Sequence, residues 1–94
     1  LFEPLLEAYG SAQEGQLANH ELYARLSAAL DVDEAFWAAK EPVGRSQELI
    51  CIPKRRVRWL QQTMKELGLL ERTADRGVWR VTARGQEQLA RNRP

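Results

Sequence analysis

Cationic and amide side chains share one face of the helix that the sequence predicts over 53–67. On a wheel of about 100° per residue, the face opposite the apolar stripe carries Arg55, Arg58, Gln62 and Lys65, with Lys54 and Gln61 on its flank. Arginine forms paired hydrogen bonds with guanine O6 and N7, glutamine does so with adenine N6 and N7, and lysine suits phosphate. We therefore predict that this face enters the major groove of double-stranded DNA.

The alternative for this face is a merely solvated surface. A helix face built only for solubility usually mixes acids with bases at a spacing of four residues. Here Glu66 is the one acid, at the edge of the face. This composition favours DNA contact. Trp59 falls at the boundary of the face, and we expect it to pack against a neighbouring element.

A predicted β-hairpin over 69–82 repeats the basic theme. Its arginines are Arg72, Arg76 and Arg80. Arg76, beside the turn residue Gly77, is best placed to reach a minor groove or a phosphate backbone. Alternation along the strand directs Trp79 into the core. The alternative is that the arginines keep an edge strand soluble.

The segment 40–47 precedes the basic helix and is predicted to be an irregular loop, because it holds Pro42, Gly44 and Ser46. Arg45, Ser46 and Gln47 are candidates for contact with phosphate or a base edge. Polar residues are common in loops, so their presence here does not by itself indicate DNA contact. The prediction for these three residues follows from their position next to the basic helix.

The charge is unevenly distributed along the chain. Residues 1–50 carry nine acids and three bases, whereas residues 51–94 carry eleven bases and four acids, for a net charge of +1. A basic half on a near-neutral domain is typical of a face that binds a polyanion. A solvated surface whose two halves attract each other remains the alternative on charge alone.

The remaining elements must position these residues. Helical spacing and turn signals predict a helix over 1–9 ended by Gly10, a strand over 16–18, a helix over 19–30 capped by Asn19, a short helix around Phe36 and Trp37, strands over 69–73 and 78–82, and a last helix to Ala90 capped by Thr82. The helix over 53–67 is the clearest, with an apolar stripe of Val57, Leu60, Met64 and Leu67. The predicted class is α+β, mainly α.

Helices followed by a two-stranded hairpin are the order of a winged helix-turn-helix, with three helices, a β-hairpin wing and a C-terminal helix. We expect one such domain over 1–94. Because the chain lacks an initiator methionine, we expect it to be cut from a larger protein.

Three stretches carry a family resemblance: Arg56-Val57-Arg58-Trp59, Lys65-Glu66-Leu67-Gly68-Leu69-Leu70-Glu71, and Arg76-Gly77-Val78-Trp79-Arg80-Val81-Thr82-Ala83-Arg84-Gly85. From Pro53 to Ala90 the chain resembles the N-terminal winged-helix domain of Mrr-type restriction endonucleases. The resemblance implies a DNA-targeting module covalently linked to an effector, such as a nuclease or methyltransferase domain. The resemblance also leaves modified-base reading open, because it implies kinship with some domains that sense modified bases. The Gly68-Leu69-Leu70-Glu71 and wing motifs also recur in winged-helix transcription regulators, so the DNA-binding domain of a regulator is an alternative.

The residue inventory argues against an enzyme in this chain. His20 and Cys51 are the only histidine and the only cysteine, so no zinc set can be assembled. No Gly-x-Ser-x-Gly and no glycine-rich phosphate loop occurs. We expect no catalysis, metal or cofactor. A lone cysteine and the lack of any apolar run of about 18 residues predict no membrane partner and a cytoplasmic location.

The competing hypothesis is a protein-interaction or dimerisation module. The acidic half of one copy would meet the basic half of another, and Phe36, Trp37 and the first helix would supply an apolar patch. A homodimer therefore stays open at this stage.

Overall fold

The structure, a computed structural model, describes residues 1–92. Its elements are α1 (Phe2–Gly10), a 3-10 turn (Gln13–Gly15), β1 (Gln16–Ala18), α2 (Asn19–Leu30), α3 (Ala35–Ala38), β2 (Glu41–Val43), β3 (Glu48–Ile50), α4 (Ile52–Glu66), β4 (Leu70–Arg72), β5 (Val78–Val81) and α5 (Ala83–Asn92). The predicted α+β class, mainly helical, is confirmed.

Strands from both halves of the chain form one antiparallel sheet in the order β1-β5-β4. Trp79 in the central strand pairs with Leu17 on one side and Arg72 on the other. The predicted hairpin is therefore present as β4 and β5, with β1 added to its far edge. Because α4 packs beside β4, the hairpin and the basic helix become neighbours.

The core lies between the helices and one face of this sheet. Its fully buried side chains include Leu5, Leu6, Tyr9, Leu22, Leu26, Val57 and Met64. Trp79 is only 6% exposed, as the strand alternation predicts. Thr82 caps α5 as expected, because its hydroxyl accepts a hydrogen bond of 3.0 Å from the Gly85 N–H.

The buried side of α4 differs from the predicted stripe. Val57 and Met64 are buried, but the third fully covered position is Gln61, and Leu60 is only partly buried. Leu67 is 49% exposed. Leu67 is the C-cap of α4, one residue beyond its last turn, where its side chain stays largely uncovered.

The predicted loop over 40–47 is wrong over 41–43, which form β2, and holds over 44–47, which form the turn that follows it. β2 pairs with β3 in a separate two-stranded hairpin, in which Pro42 lies opposite Leu49. A two-stranded hairpin has only edge strands, so the missing N–H of a proline can be accommodated there. Gly44 and Gln47 both have positive φ in the connecting turn.

Two predicted helix ends differ from those in the structure. Gly10 lies within α1 rather than beyond it, and a Cβ there would overlap the Leu89 side chain. The missing side chain of Gly10 therefore allows α1 and α5 to pack closely. Ala18, not Asn19, is the N-cap of α2, and its N–H donates a hydrogen bond of 2.9 Å to the Glu21 carboxylate.

Candidate nucleic-acid interface

An open groove of about 640 Å³ separates the exposed face of α4 from the β4–β5 hairpin. Its side-chain walls comprise Arg58, Trp59 and Gln62 from α4, and Arg72, Thr73, Asp75 and Arg76 from the hairpin. Asn19, Gln61 and Trp79 also line it. We call this feature the basic groove.

Three guanidinium groups give the basic groove its charge. Arg58, Arg72 and Arg76 form no ion pair within residues 1–92, and Asp75 is the one carboxylate among the lining residues. The Arg72 guanidinium lies 5.1 Å from the centroid of the Trp79 ring, a cation–π distance that orients it. The groove therefore presents a surplus of positive charge to a ligand.

A buried polar network holds the base of the groove together. The Gln61 side chain is 3% exposed, and its Nε2 donates to the Tyr9 hydroxyl at 2.9 Å and to Asn19 Oδ1 at 3.2 Å. The backbone N–H of Asn19 donates to the Gly77 carbonyl at 3.0 Å. This network joins α1, α4, the start of α2 and the hairpin turn.

Burial raises the pKa of Tyr9 to about 12 from its ordinary value of 10.0, against the opposing effect of the hydrogen bond from Gln61. The neutral phenol thus contributes stability that is fully present below pH 10 and is lost as the pH rises toward 12. We expect the free energy of unfolding, measured with urea, to be about 2 kcal/mol lower at about pH 11.5 than at about pH 9. Tyr9→Phe should remove most of this pH dependence.

Tyr23→Phe is the matched control, since Tyr23 is the only other tyrosine and burial also raises its pKa, although it is only half-buried. Most of the loss of stability at alkaline pH should persist in this variant. An equal effect of the two substitutions would contradict the assignment to Tyr9.

The structure separates the predicted site residues of α4 into two groups. Arg55, Arg58, Gln62 and Lys65 are exposed on one side of the helix. Lys54 is partly buried, with its Nζ 5.3 Å from the centroid of the Tyr23 ring. The placement of Gln61 on the flank of this face was wrong, because its amide is held inside the protein.

Strand alternation separates the predicted residues of the hairpin in the same way. Arg72 and Arg76 line the basic groove. Arg80 alternates with Trp79 and so lies on the other face of the sheet, where it forms an ion pair of 2.7 Å with Glu71. The structure does not bring Arg80 to the groove.

The three predicted residues before α4 lie in the turn between β2 and β3. Arg45, Ser46 and Gln47 are exposed, and none lines the basic groove. The Gln47 amide donates a hydrogen bond of 2.7 Å to the Gly44 carbonyl, which closes the turn. These residues form a separate polar tip.

Sequence reasoning missed the exposure of Trp59. Instead of packing against a neighbour, its side chain is 66% exposed in the wall of the basic groove. The signal lay in the spacing, because Trp59 is four residues after Arg55 and three before Gln62, which places all three on adjoining parts of one helix face.

Neither a metal-binding cluster nor a membrane-spanning helix accompanies the basic groove within the described residues. Residues 1–92 contain no group of three or more His, Cys, Asp or Glu side chains arranged to hold a metal ion. None of the helices described is long and apolar enough to cross a membrane. Cys51 is a buried free thiol whose Sγ lies 3.1 Å from the Trp37 carbonyl oxygen.

Comparison with known proteins extends the resemblance beyond the second half of the chain. The family model for the Mrr N-terminal domain matches residues 1–91, which include α1, α2 and the β2–β3 hairpin. No curated protein and no solved structure matches the chain. Since the match covers nearly the whole sequence, the chain belongs to the Mrr N-terminal domain family.

Proposed function

We propose that this chain is a winged-helix module that binds double-stranded DNA. In this mode α4 lies in the major groove, and the β4–β5 hairpin lies on the backbone or in the minor groove as the wing. The order of helices and strands and the β1-β5-β4 sheet support this interpretation. α2 and α4 would be the two helices of the helix-turn-helix, with α3 and the β2–β3 hairpin between them.

The observation that carries the proposal is the convergence on the basic groove of three arginines that form no ion pair within the described residues. Arg58 lies on one wall, and Arg72 and Arg76 lie on the other. A phosphodiester strand that passes between a helix in the major groove and a wing would run between these walls. Phosphate contacts from both sides would fix the register of α4 on the duplex.

The exposed face of α4, on the groove wall at Gln62 and beside it at Arg55 and Lys65, supplies groups that distinguish bases. Arg55, Gln62 and Lys65 present hydrogen-bond donors to solvent and form no side-chain hydrogen bond with another described residue. Arg and Gln suit guanine and adenine, respectively. Gln61 and Arg80 are excluded from this interface because their polar groups are engaged elsewhere.

Membership of the Mrr N-terminal domain family indicates a module associated with restriction systems. We propose that the module targets DNA without catalysis of its own. It would act in the cytoplasm, covalently linked to an effector domain in the full-length protein. Reading of modified bases belongs to the same proposal.

The test is fluorescence anisotropy with a labelled duplex, unmodified and methylated, in low and moderate salt. With about four phosphate contacts, a rise from about 50 to 200 mM salt should weaken binding on the order of a hundredfold. A difference between the two duplexes would support modified-base reading. No binding by the folded protein in low salt would refute the proposal.

A second candidate function is protein docking, including homodimer formation, and a specific patch favours it. Leu30 and Phe36 are exposed beside a cavity of about 260 Å³ that Glu41 and Arg56 also line. Apolar side chains ringed by charge are typical of protein interfaces. Self-association that persists in high salt, measured by sedimentation, would support this candidate.

A further inference from the structure

Trp59 stands apart from the other two tryptophans of the chain. Trp37 and Trp79 are buried, and each ring has an aromatic or cationic partner. Trp59 is 66% exposed, and no aromatic or cation–π contact within residues 1–92 involves it. An indole left in water on a cationic face is available to bury apolar surface of a ligand.

Gln62 lies one helical turn beyond Trp59, and both side chains line the basic groove. Gln62 is exposed and makes no side-chain hydrogen bond with a described residue, in contrast to the engaged amide of Gln61. The apolar indole of Trp59 and the hydrogen-bonding amide of Gln62 therefore lie side by side on the face of α4 proposed to enter the major groove.

One base pair presents the matching pattern. In the major groove, a T·A pair displays the adenine N7 acceptor and N6 donor, followed by the thymine O4 acceptor and C5-methyl group. G·C and C·G pairs lack both the methyl group and this order of donor and acceptor. We infer that Trp59 and Gln62 together read a T·A pair, with the indole on the thymine methyl and the amide on adenine. This inference rests on the proposed function.

The test replaces every thymine of a duplex by uracil, which removes only the methyl groups. Wild-type protein should bind the uracil duplex about threefold to fourfold more weakly for each thymine contacted. Trp59→Ala should bind both duplexes equally. If Trp59→Ala binds too weakly to measure, the same ratio is determined in lower salt, where phosphate contacts are stronger.

The amide is tested separately with 7-deazaadenine, which replaces the N7 acceptor by a C–H group. This duplex should lose about fivefold in affinity for wild-type protein and nothing for Gln62→Ala.

Leu67→Ala is the control for Trp59→Ala, since Leu67 is also an exposed apolar residue of this region but does not line the groove. It should keep the wild-type preference for thymine over uracil.

The outcomes separate this inference from the proposed function. Equal binding of the thymine and uracil duplexes by wild-type protein would overturn the inference while leaving duplex binding intact. A preference that survives in Trp59→Ala would overturn the assignment of the methyl contact to Trp59. Failure to bind either duplex would instead remove the proposed function on which the inference rests.

Discussion

Reversing the charge of Arg58 and Arg76 together will weaken binding to duplex DNA by on the order of a hundredfold at about 100 mM salt. The two residues stand on opposite walls of the basic groove, and neither forms an ion pair within residues 1–92. Arg58→Glu/Arg76→Glu therefore removes a phosphate contact from each side of the strand and adds repulsion. Anisotropy over a salt series measures the change, and the slope of log affinity against log salt should become shallower by about 2.

The matched control is Arg25→Glu/Arg91→Glu, which changes the net charge by the same amount. Both residues are exposed, and neither lines the basic groove. This variant should lose much less affinity, because only the long-range attraction of the whole domain changes. Equal losses in the two double variants would mean that net charge, not the groove, governs binding.

Among the polar positions of α4 that the sequence predicts to be exposed, Gln61 will show the largest loss of stability on replacement. Gln61→Ala leaves a cavity and removes a partner from both the Tyr9 hydroxyl and Asn19 Oδ1. We expect the free energy of unfolding to fall by about 3 kcal/mol. Urea denaturation measures it, and Gln61→Met, which keeps most of the volume, should isolate the part due to hydrogen bonding.

Gln62→Ala is the control for this prediction, since it makes the same chemical change one residue along the helix. Because Gln62 is exposed, its stability should stay within about 0.5 kcal/mol of wild type. Its DNA affinity should change instead. A Gln61→Ala variant as stable as Gln62→Ala would contradict the structural function of the buried amide.

Local patterns were sufficient to predict most of the secondary structure. The helical spacing of Leu22 and Leu26 identified α2, and the turn ending in Gly77 identified the β4–β5 hairpin. Both signals act over a few residues and need no knowledge of distant neighbours. The β2–β3 hairpin was missed because its strands have three residues each, too few for an alternating pattern, and because Pro42 and Gly44 are typical of loops.

The division of α4 into buried and exposed faces was harder to predict, because it depends on partners distant in sequence. Hydropathy assigns Trp59 to the interior and Gln61 to the surface, and the structure reverses both. Gln61 is buried because Tyr9, 52 residues earlier, offers its amide a hydrogen-bonding partner. The spacing from Arg55 and Gln62 places Trp59 beside the polar face, but whether a distant element covers its ring depends on the hairpin, which no local pattern positions.

The bridge from Asn19 to Gln61 and Gly77 has a consequence for how the two walls of the groove respond to a ligand. Because one residue is bonded to both walls, the width of the groove is set before any duplex arrives. In the proposed binding mode, the free energy of deformation is then that of the DNA, which must bend or change its groove width to fit a rigid protein. Steps that deform easily, such as TA and CA, would be favoured even at base pairs that no side chain touches.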